Sequence, residues 1–272
     1  MADRMQLQNR TALVTGAASG IGRSIAIALA KRGCHLALAD VDMAGLSTTA
    51  KAVGERVVVT EHRLDVSDPS AVAAFPERIR ASHLGLDLLV NNAGVAVGGA
   101  FEEIAEADFD WLLSINLWGV VNMTRAFLPL LRESPDARLV NMSSVFGLVA
   151  PPGQSAYVTS KFAVRGFSES LRHELAGSSV GVTVVHPGGV KTAIARNARL
   201  PNAAGGLAIE QQAAAFESKL RLSSDVAAER IVRAIEARKP RVIVGADARI
   251  AAAAERLAPV SYWRLLSGMV GA

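Results

Sequence analysis

Strand-like and helix-like hydrophobic patterns alternate along most of this chain. Short apolar runs, several of them β-branched, predict strands at 11–15, 35–40, 56–65, 86–94, 137–144, 181–187 and 241–245. Apolar residues three and four positions apart predict helices at 22–33, 43–54, 68–84, 108–132, about 157 to 177, 225–238 and 248–257. The boundaries agree with this pattern, since Asp68 and Pro69 are typical of a helix start and Gly33 and Gly54 of helix ends.

The order of these elements predicts the fold class. Seven strands with helices between them indicate a parallel sheet covered on both faces. Right-handed crossovers then give a doubly wound, Rossmann-like α/β fold, predicted as a single domain over 1–272. Residues 193–220 interrupt the alternation and are expected to form a substrate lid, with a permanently packed helix as the alternative.

The end of the chain, 248–272, is predicted to be a helical tail with many apolar side chains. We expect these side chains to close the substrate pocket or to bury against another subunit, because such a group does not lie free in water. A local core patch or a disordered end is the alternative.

Composition narrows the class of protein. Half of the residues are hydrophobic, and the net charge of +4 is scattered, which argues against nucleic-acid binding. The single cysteine, Cys34, fits a reducing compartment, so we expect a cytoplasmic protein. The sequence shows neither a signal-peptide core nor the roughly 18 apolar residues of an integral membrane span. The five histidines lack metal-ligand spacing, so no metal site is predicted.

The segment TGAASGIG, residues 15–22, follows the first predicted strand and leads into the first helix. Gly16, Gly20 and Gly22 lack side chains where the backbone must turn tightly and where a ligand approaches closely. The free N–H groups and positive dipole of a helix N-terminus suit a pyrophosphate. This position between strand and helix predicts a dinucleotide-binding loop.

Acidic residues end the next two strands. Asp40 lies about 20 residues after the glycines, where a carboxylate can bind the adenosine ribose hydroxyls, although it could also be a helix N-cap. Since the same carboxylate would repel the 2′-phosphate of NADP, NAD(H) is predicted to be preferred over NADP(H). The nearby Arg23 is expected to point away from the ribose. Asp65 and Val66 end the third strand, where an adenine would lie, but Asp65 could equally be a turn residue.

Tyr157 and Lys161 are four positions apart in SAYVTSKFA, within a predicted helix, so their side chains share one face. An isolated tyrosine–lysine pair of this kind most often lies on an exposed surface and has no catalytic role. The alternative is that the ammonium lowers the pKa of the phenol from its ordinary value of about 10, which makes the phenol a usable acid–base group. The neighbouring motifs favour the second interpretation.

Motifs in a characteristic order resemble those of the short-chain dehydrogenase/reductase family over about residues 8–245. These are TGAASGIG, LDVSD (64–68), NNAG (91–94), SINLWGV (114–120), NMSS (141–144), the Tyr-x-x-x-Lys pair and HPGGVKT (186–192). The resemblance implies an oxidoreductase that interconverts a secondary alcohol and a ketone by NAD(P)-dependent hydride transfer. A nucleotide-sensing regulator without turnover and a peripheral membrane or scaffold protein are the alternatives, and a homodimer or homotetramer is expected.

The resemblance also implies roles for individual residues. Tyr157 would be the acid–base group, and Ser144, rather than Ser143, would bind the reacting oxygen. Lys161 would act on the phenol and the nicotinamide ribose, and Asn116 would hold a water that links Lys161 to solvent. The alternative for Asn116 is a polar core residue that bends a helix. The implied cofactor-binding residues are Gly16, Ser19, Gly20, Ile21, Gly22, Asp40, Asp65, Val66, Asn92, Ala93, Gly94, Tyr157, Lys161, Pro187, Gly188, Val190 and Thr192.

The substrate is predicted to be a lipophilic or aromatic small molecule. Ser144, Phe146 and Tyr157 are the predicted substrate-binding residues. No arginine or lysine near them suggests a clamp for a carboxylate or phosphate. Further apolar residues expected at the pocket, or alternatively in the core, are Val95, Val97, Leu148 and Val149.

Overall fold

A seven-stranded parallel sheet forms the centre of the protein, as the computed structural model shows for residues 4–194, 197–201 and 222–270. The strand order is β3-β2-β1-β4-β5-β6-β9. These strands are β1 (Thr11–Thr15), β2 (His35–Asp40), β3 (Val59–Arg63), β4 (Leu88–Asn91), β5 (Ala137–Met142), β6 (Val180–Pro187) and β9 (Arg241–Val244). Two short strands, β7 (Val190–Lys191) and β8 (Leu222–Ser223), pair with each other in parallel.

Helices cover both faces of the sheet and so bury strands such as β1, all of whose residues are buried. They are α1 (Gly20–Ala30), α2 (Met43–Val53), α3 (Pro69–Ser82), α4 (Glu106–Leu113), α5 (Val120–Glu133), α6 (Ser155–Glu174), α7 (Ser224–Glu236), α8 (Ala246–Leu257) and α9 (Tyr262–Val270). One core cluster packs α1, α2 and α7 on one face, and a second packs α3, α5 and α6 on the other. The predicted doubly wound fold is therefore confirmed.

The strand order reverses at β1, whose neighbours are β2 on one side and β4 on the other. In a doubly wound sheet, the crevice at such a switch point lies outside the carboxyl ends of the strands and is the usual ligand site. The loop 15–22 and the NNAG segment 91–94 both begin at this point.

Several predicted elements have other bounds in the structure; β4, for example, is Leu88–Asn91 rather than 86–94. Strand β3 begins at Val59 rather than at 56, because its pairing with β2 starts with Leu36 opposite Val59. The predicted helix 108–132 is divided into α4, a π-helical segment Ser114–Gly119 and α5. π-Helical turns are rare and often mark functional sites.

Several predictions concern other regions. Most of the predicted lid at 193–220 lies outside the described residues. No helix in the described part of the chain is long and apolar enough to cross a membrane. Within the same residues, no group of three or more acidic, histidine or cysteine side chains could hold a metal ion. The predicted tail helix is α8, and the additional helix α9 follows it.

Candidate active site

The loop after β1 turns sharply at two glycines before α1 begins. Gly16 and Gly20 have φ angles of +64° and +52°, in the left-handed region that other residues rarely adopt. Gly22 is required for a different reason, because a Cβ there would lie 2.1 Å from the carbonyl oxygen of Gly16 and 2.5 Å from Nδ2 of Asn92. The glycines therefore allow the loop to pack directly against the end of β4 and to present the N-terminus of α1 at the crevice.

Replacing Gly22 with alanine is expected to destabilise the protein by about 1–3 kcal/mol, since the new methyl group clashes with backbone that cannot rotate away. Gly166 is a matched control, because it lies within α6 and a Cβ there would meet nothing within 4 Å. Gly166→Ala should be neutral or stabilising by up to about 1 kcal/mol. Urea denaturation of both variants tests the difference, and equal unfolding midpoints would contradict it.

Thr15 and Asn92 join the glycine loop to the NNAG segment. The Thr15 hydroxyl oxygen accepts the N–H groups of Asn92 and Ala93 at 3.0 and 3.1 Å. In return, the Asn92 amide donates to the carbonyl oxygens of Thr15 and Gly16 at 3.0 and 3.2 Å. These bonds hold the ends of β1 and β4 together at the switch point.

Asp40 lies at the end of β2 and binds the same loop. Its Oδ2 atom accepts the N–H of Ala18 at 3.0 Å, and its Oδ1 atom accepts the N–H of Asp42 at 3.1 Å. The N-cap of α2 is Asp42, which accepts the N–H of Gly45. The alternative interpretation of Asp40 as a helix N-cap is therefore wrong.

Arg23, which was expected to point away from the ribose, folds back onto the loop. Its guanidinium donates to the carbonyl oxygen of Ala18 and, at 3.0 Å, to the hydroxyl of Thr49. Farther along the crevice, Asp65 accepts the N–H and hydroxyl of Ser67 and so shapes a turn. Val66 is 7% exposed.

Ser144 follows β5 and is held through both its backbone and its side chain. Its hydroxyl oxygen accepts the N–H of Phe146 at 3.1 Å, so the hydroxyl proton can be directed to another acceptor. Its carbonyl oxygen lies 3.0 Å from Nδ1 of the buried His186. Neighbouring Ser143 is engaged elsewhere, since its hydroxyl donates to the carbonyl oxygen of Lys161 at 2.8 Å.

Tyr157 and Lys161 lie one turn apart on α6. The Lys161 ammonium is 5.5 Å from the centre of the Tyr157 ring and donates to the carbonyl oxygen of Met142 at 3.2 Å. Lys161 is 4% exposed. The ring of Phe146 contacts that of Tyr157 edge-on, with 6.1 Å between centroids and an interplanar angle of 84°.

Asn116 lies in the π-helical segment and is fully buried. Its side chain accepts the N–H of Val95 at 2.9 Å and donates to the carbonyl oxygen of Val95 at 3.0 Å and to Ser160 at 3.2 Å. A Cβ on Gly94 would lie 3.2 Å from Oδ1 of Asn116 and 3.6 Å from the Lys161 ammonium. Gly94 therefore leaves room where Asn116 and Lys161 approach each other.

The segment after β6 closes the other side of the crevice. Asp247 accepts the N–H of Gly189 at 2.6 Å, and a Cβ on Gly188 would collide with its carboxylate at 2.2 Å. The side chain of Thr192 reaches the glycine loop, because a Cβ on Gly20 would lie 3.2 Å from it. The predicted segments from both halves of the sheet thus meet in one place.

Comparisons with known proteins agree with this geometry. Residues 10–203 match the short-chain dehydrogenase family. The chain is 42% identical to the oxidoreductase named SadH of Mycobacterium tuberculosis over 97% of this chain and 96% of that protein. The chain belongs to the short-chain dehydrogenase/reductase family. Its fold matches a short-chain dehydrogenase/reductase of Burkholderia phymatum, solved in complex with NAD, with a TM-score of 0.81 and 32% identity over 88% of this chain and 90% of that one. Levodione reductase matches with a TM-score of 0.79 and 27% identity over 90% and 99% of the two chains.

One expectation about this short-chain dehydrogenase/reductase is wrong for the structure as described. Lys161 was expected to lower the pKa of Tyr157, but desolvation raises the pKa of the phenol to about 12, against a smaller opposite effect of a hydrogen bond with Ser144. Burial also lowers the pKa of Lys161 to about 8. Desolvation is the largest cause of both shifts.

Three of the residues predicted to line the substrate pocket lie in the hydrophobic core instead. Val97, Leu148 and Val149 are 2%, 1% and 3% exposed, so the alternative interpretation holds for them. Val95 and Phe146 remain partly exposed.

Sequence reasoning missed three residues that shape the site: Thr15, His186 and Asp247. Each is polar and lies in or beside a motif or a strand end, but only the folded chain supplies its partner. Asp247, for example, is 58 residues from the Gly189 N–H that it binds. A useful signal would have been a histidine directly before the HPGGVKT proline, within an otherwise apolar strand.

His186 is expected to make the protein sensitive to acid. Burial is the main cause that lowers the His186 pKa from 6.5 to about 4. The charges of Arg241 and Arg165 lower this pKa further, whereas the hydrogen bond to Ser144 and the charge of Glu169 raise it. The unfolded chain therefore binds a proton more readily. The stability that neutral His186 contributes, about 3 kcal/mol, is fully present above about pH 6.5 and is lost as the pH falls through 4.

Urea denaturation between pH 7 and pH 4 measures this effect. His186→Gln should make the pH dependence shallower, and His173→Gln, at an exposed position on α6, is the matched control. Parallel curves for wild type and His186→Gln would contradict the assignment.

Proposed function

We propose that the protein is an NAD(P)-dependent oxidoreductase that interconverts a secondary alcohol and a ketone, with Tyr157 as its acid–base group. The observation that carries the proposal is the convergence of Ser144, Tyr157 and Lys161 beside the switch-point crevice. The names of the relatives favour an oxidoreductase over a nucleotide-sensing regulator.

The crevice fits a dinucleotide. The N-terminus of α1 offers N–H groups to a pyrophosphate, and the glycines of the loop, which lack side chains, let the pyrophosphate approach the backbone closely. The Burkholderia phymatum relative was solved with NAD, which supports a nicotinamide cofactor here. The residues proposed to hold it are the cofactor-binding residues named from the sequence. When bound, a nicotinamide supplies or accepts the hydride.

Residues of the chain itself are proposed to transfer the proton. In reduction, Tyr157 donates its phenolic proton to the carbonyl oxygen, and in oxidation the phenolate takes the proton of the alcohol. Ser144 donates a hydrogen bond to the same oxygen, because its own oxygen already accepts the Phe146 N–H. Lys161, whose ammonium lies 5.5 Å from the centre of the Tyr157 ring, is proposed to bind the nicotinamide ribose. Asn116 is proposed to hold the water that links Lys161 to solvent.

The partly exposed side chains beside Ser144 and Tyr157 are apolar, notably Val95 and Phe146. We propose a lipophilic or aromatic ketone and alcohol pair as the substrate. Levodione reductase, whose name specifies reduction of a dione, supports a ketone as the oxidised substrate.

A spectrophotometric screen tests the proposal. Purified protein is mixed with NADH or NADPH and a series of ketones, or with the oxidised cofactors and secondary alcohols, and the absorbance of the reduced nicotinamide is followed. Activity that depends on Tyr157 is expected with apolar ketones. A protein that binds NADH but turns over no member of either series would be a nucleotide-binding regulator instead.

A further inference from the structure

The C-terminal helix α9 packs on the segment that begins with Ser144. The hydroxyl of Tyr262, its first residue, accepts the N–H of Ala150 at 2.9 Å. Trp263 packs in an apolar cluster with Phe146 and Val149. Part of the tail therefore packs on the residues that follow Ser144.

The segment 144–150 is held at both ends. At its start, His186 donates from Nδ1 to the carbonyl oxygen of Ser144, which requires a proton on that nitrogen because a carbonyl oxygen only accepts. At its end, Tyr262 accepts the N–H of Ala150. Between these points, Arg165 donates to the carbonyl oxygen of Gly147 at 3.3 Å.

Phe146 connects this segment to the acid–base group. It belongs to the same cluster as Trp263, and its ring contacts Tyr157 edge-on. A displacement of α9 would therefore move the apolar surface against which Tyr157 packs. Phe146 therefore links the cluster on which α9 packs to the ring of Tyr157.

We propose that α9 positions the Ser144 segment through Tyr262 and that Trp263, with Phe146, forms an apolar wall that selects substrates with a bulky hydrophobic substituent. The proposal rests on the proposed function. Tyr262 is a positioning residue, since its contact is with Ala150 and not with the reacting atoms. Trp263 acts on specificity through the ring of Phe146. The side chains that α9 contributes to this cluster carry no charge, so they offer no binding partner for a carboxylate.

Hydrogen exchange tests the positioning role independently of turnover. Tyr262→Phe removes only the hydroxyl that holds the Ala150 N–H, and exchange over 144–150 should become about three- to tenfold faster. Leu265→Ala is the matched control, because Leu265 lies on the same helix and is 59% exposed. Unchanged exchange in Tyr262→Phe, or an equal change in Leu265→Ala, would overturn the positioning role.

Steady-state kinetics with acetone and acetophenone test the wall. Trp263→Ala should raise KM for acetophenone about tenfold or more relative to KM for acetone, since a lost apolar contact acts mainly on the bulky substrate. Tyr262→Phe should lower kcat for both ketones about three- to tenfold. Leu265→Ala should change neither kcat nor the ratio of the two KM values. If Trp263→Ala affects both ketones equally, the cluster is a core patch and the wall is wrong. If wild type reduces no ketone at all, the proposed function and the wall fail together, while the exchange experiment still decides the positioning role.

Discussion

Tyr157→Phe is expected to lower kcat by about 10²- to 10⁴-fold, the range for loss of a general acid–base group. The substitution removes one hydroxyl and keeps the ring that packs against Phe146. Binding of NADH, followed by its fluorescence, should stay close to that of wild type. The ketone reduction rate of the same preparation then isolates the chemical step.

Two other variants sharpen this test. Lys161→Ala should weaken NADH binding more than Tyr157→Phe does, because the ammonium is also proposed to reach the nicotinamide ribose. Tyr262→Phe removes the hydroxyl of the only other tyrosine and should cost far less activity than Tyr157→Phe. Near-wild-type turnover by a correctly folded Tyr157→Phe protein would exclude Tyr157 as the acid–base group.

Preference for NAD(H) over NADP(H) by about 10²- to 10³-fold is the second large effect expected. Two unit charges 4 Å apart repel by about 4 kcal/mol at an effective dielectric constant of 20, and about 1.4 kcal/mol corresponds to tenfold. The Asp40 carboxylate lies at the end of β2, bound to the N–H groups of Ala18 and Asp42. Arg23 could offset the repulsion, but its described bonds engage Ala18, Gly45 and Thr49.

Asp40→Asn is the informative substitution, because it removes the charge but keeps an oxygen that can accept an N–H. Asp40→Ala also loses those hydrogen bonds and should weaken NAD use as well as relax the preference. Asp42→Asn, an exposed neighbour that caps α2, serves as the control and should keep the preference. The ratio of kcat/KM for NADH to kcat/KM for NADPH, measured with one ketone, gives the cofactor preference of each protein. A wild-type preference for NADP(H) would show that Asp40 is not at the ribose, and Arg23 would be the first residue to examine.

The sequence by itself determined the sheet and the placement of the motifs. The strands appear as apolar runs because a parallel sheet covered on both faces buries every residue, as in β1 and β5. The sequence also predicted the glycine loop 15–22, since a tight turn and close backbone packing allow few residues other than glycine. Four-residue spacing on one helix was enough to place Tyr157 beside Lys161.

Only the tertiary structure decided how these groups are supported. His186, Asp247 and Tyr262 bind Ser144, Gly189 and Ala150 across separations of 42, 58 and 112 residues, and no local pattern encodes such pairs. The pKa of Tyr157 was misjudged for the same reason: spacing shows a neighbouring charge, whereas desolvation depends on everything packed around the phenol. Local periodicity and turn chemistry act over a few residues, while burial and long-range hydrogen bonds exist only once the chain has folded.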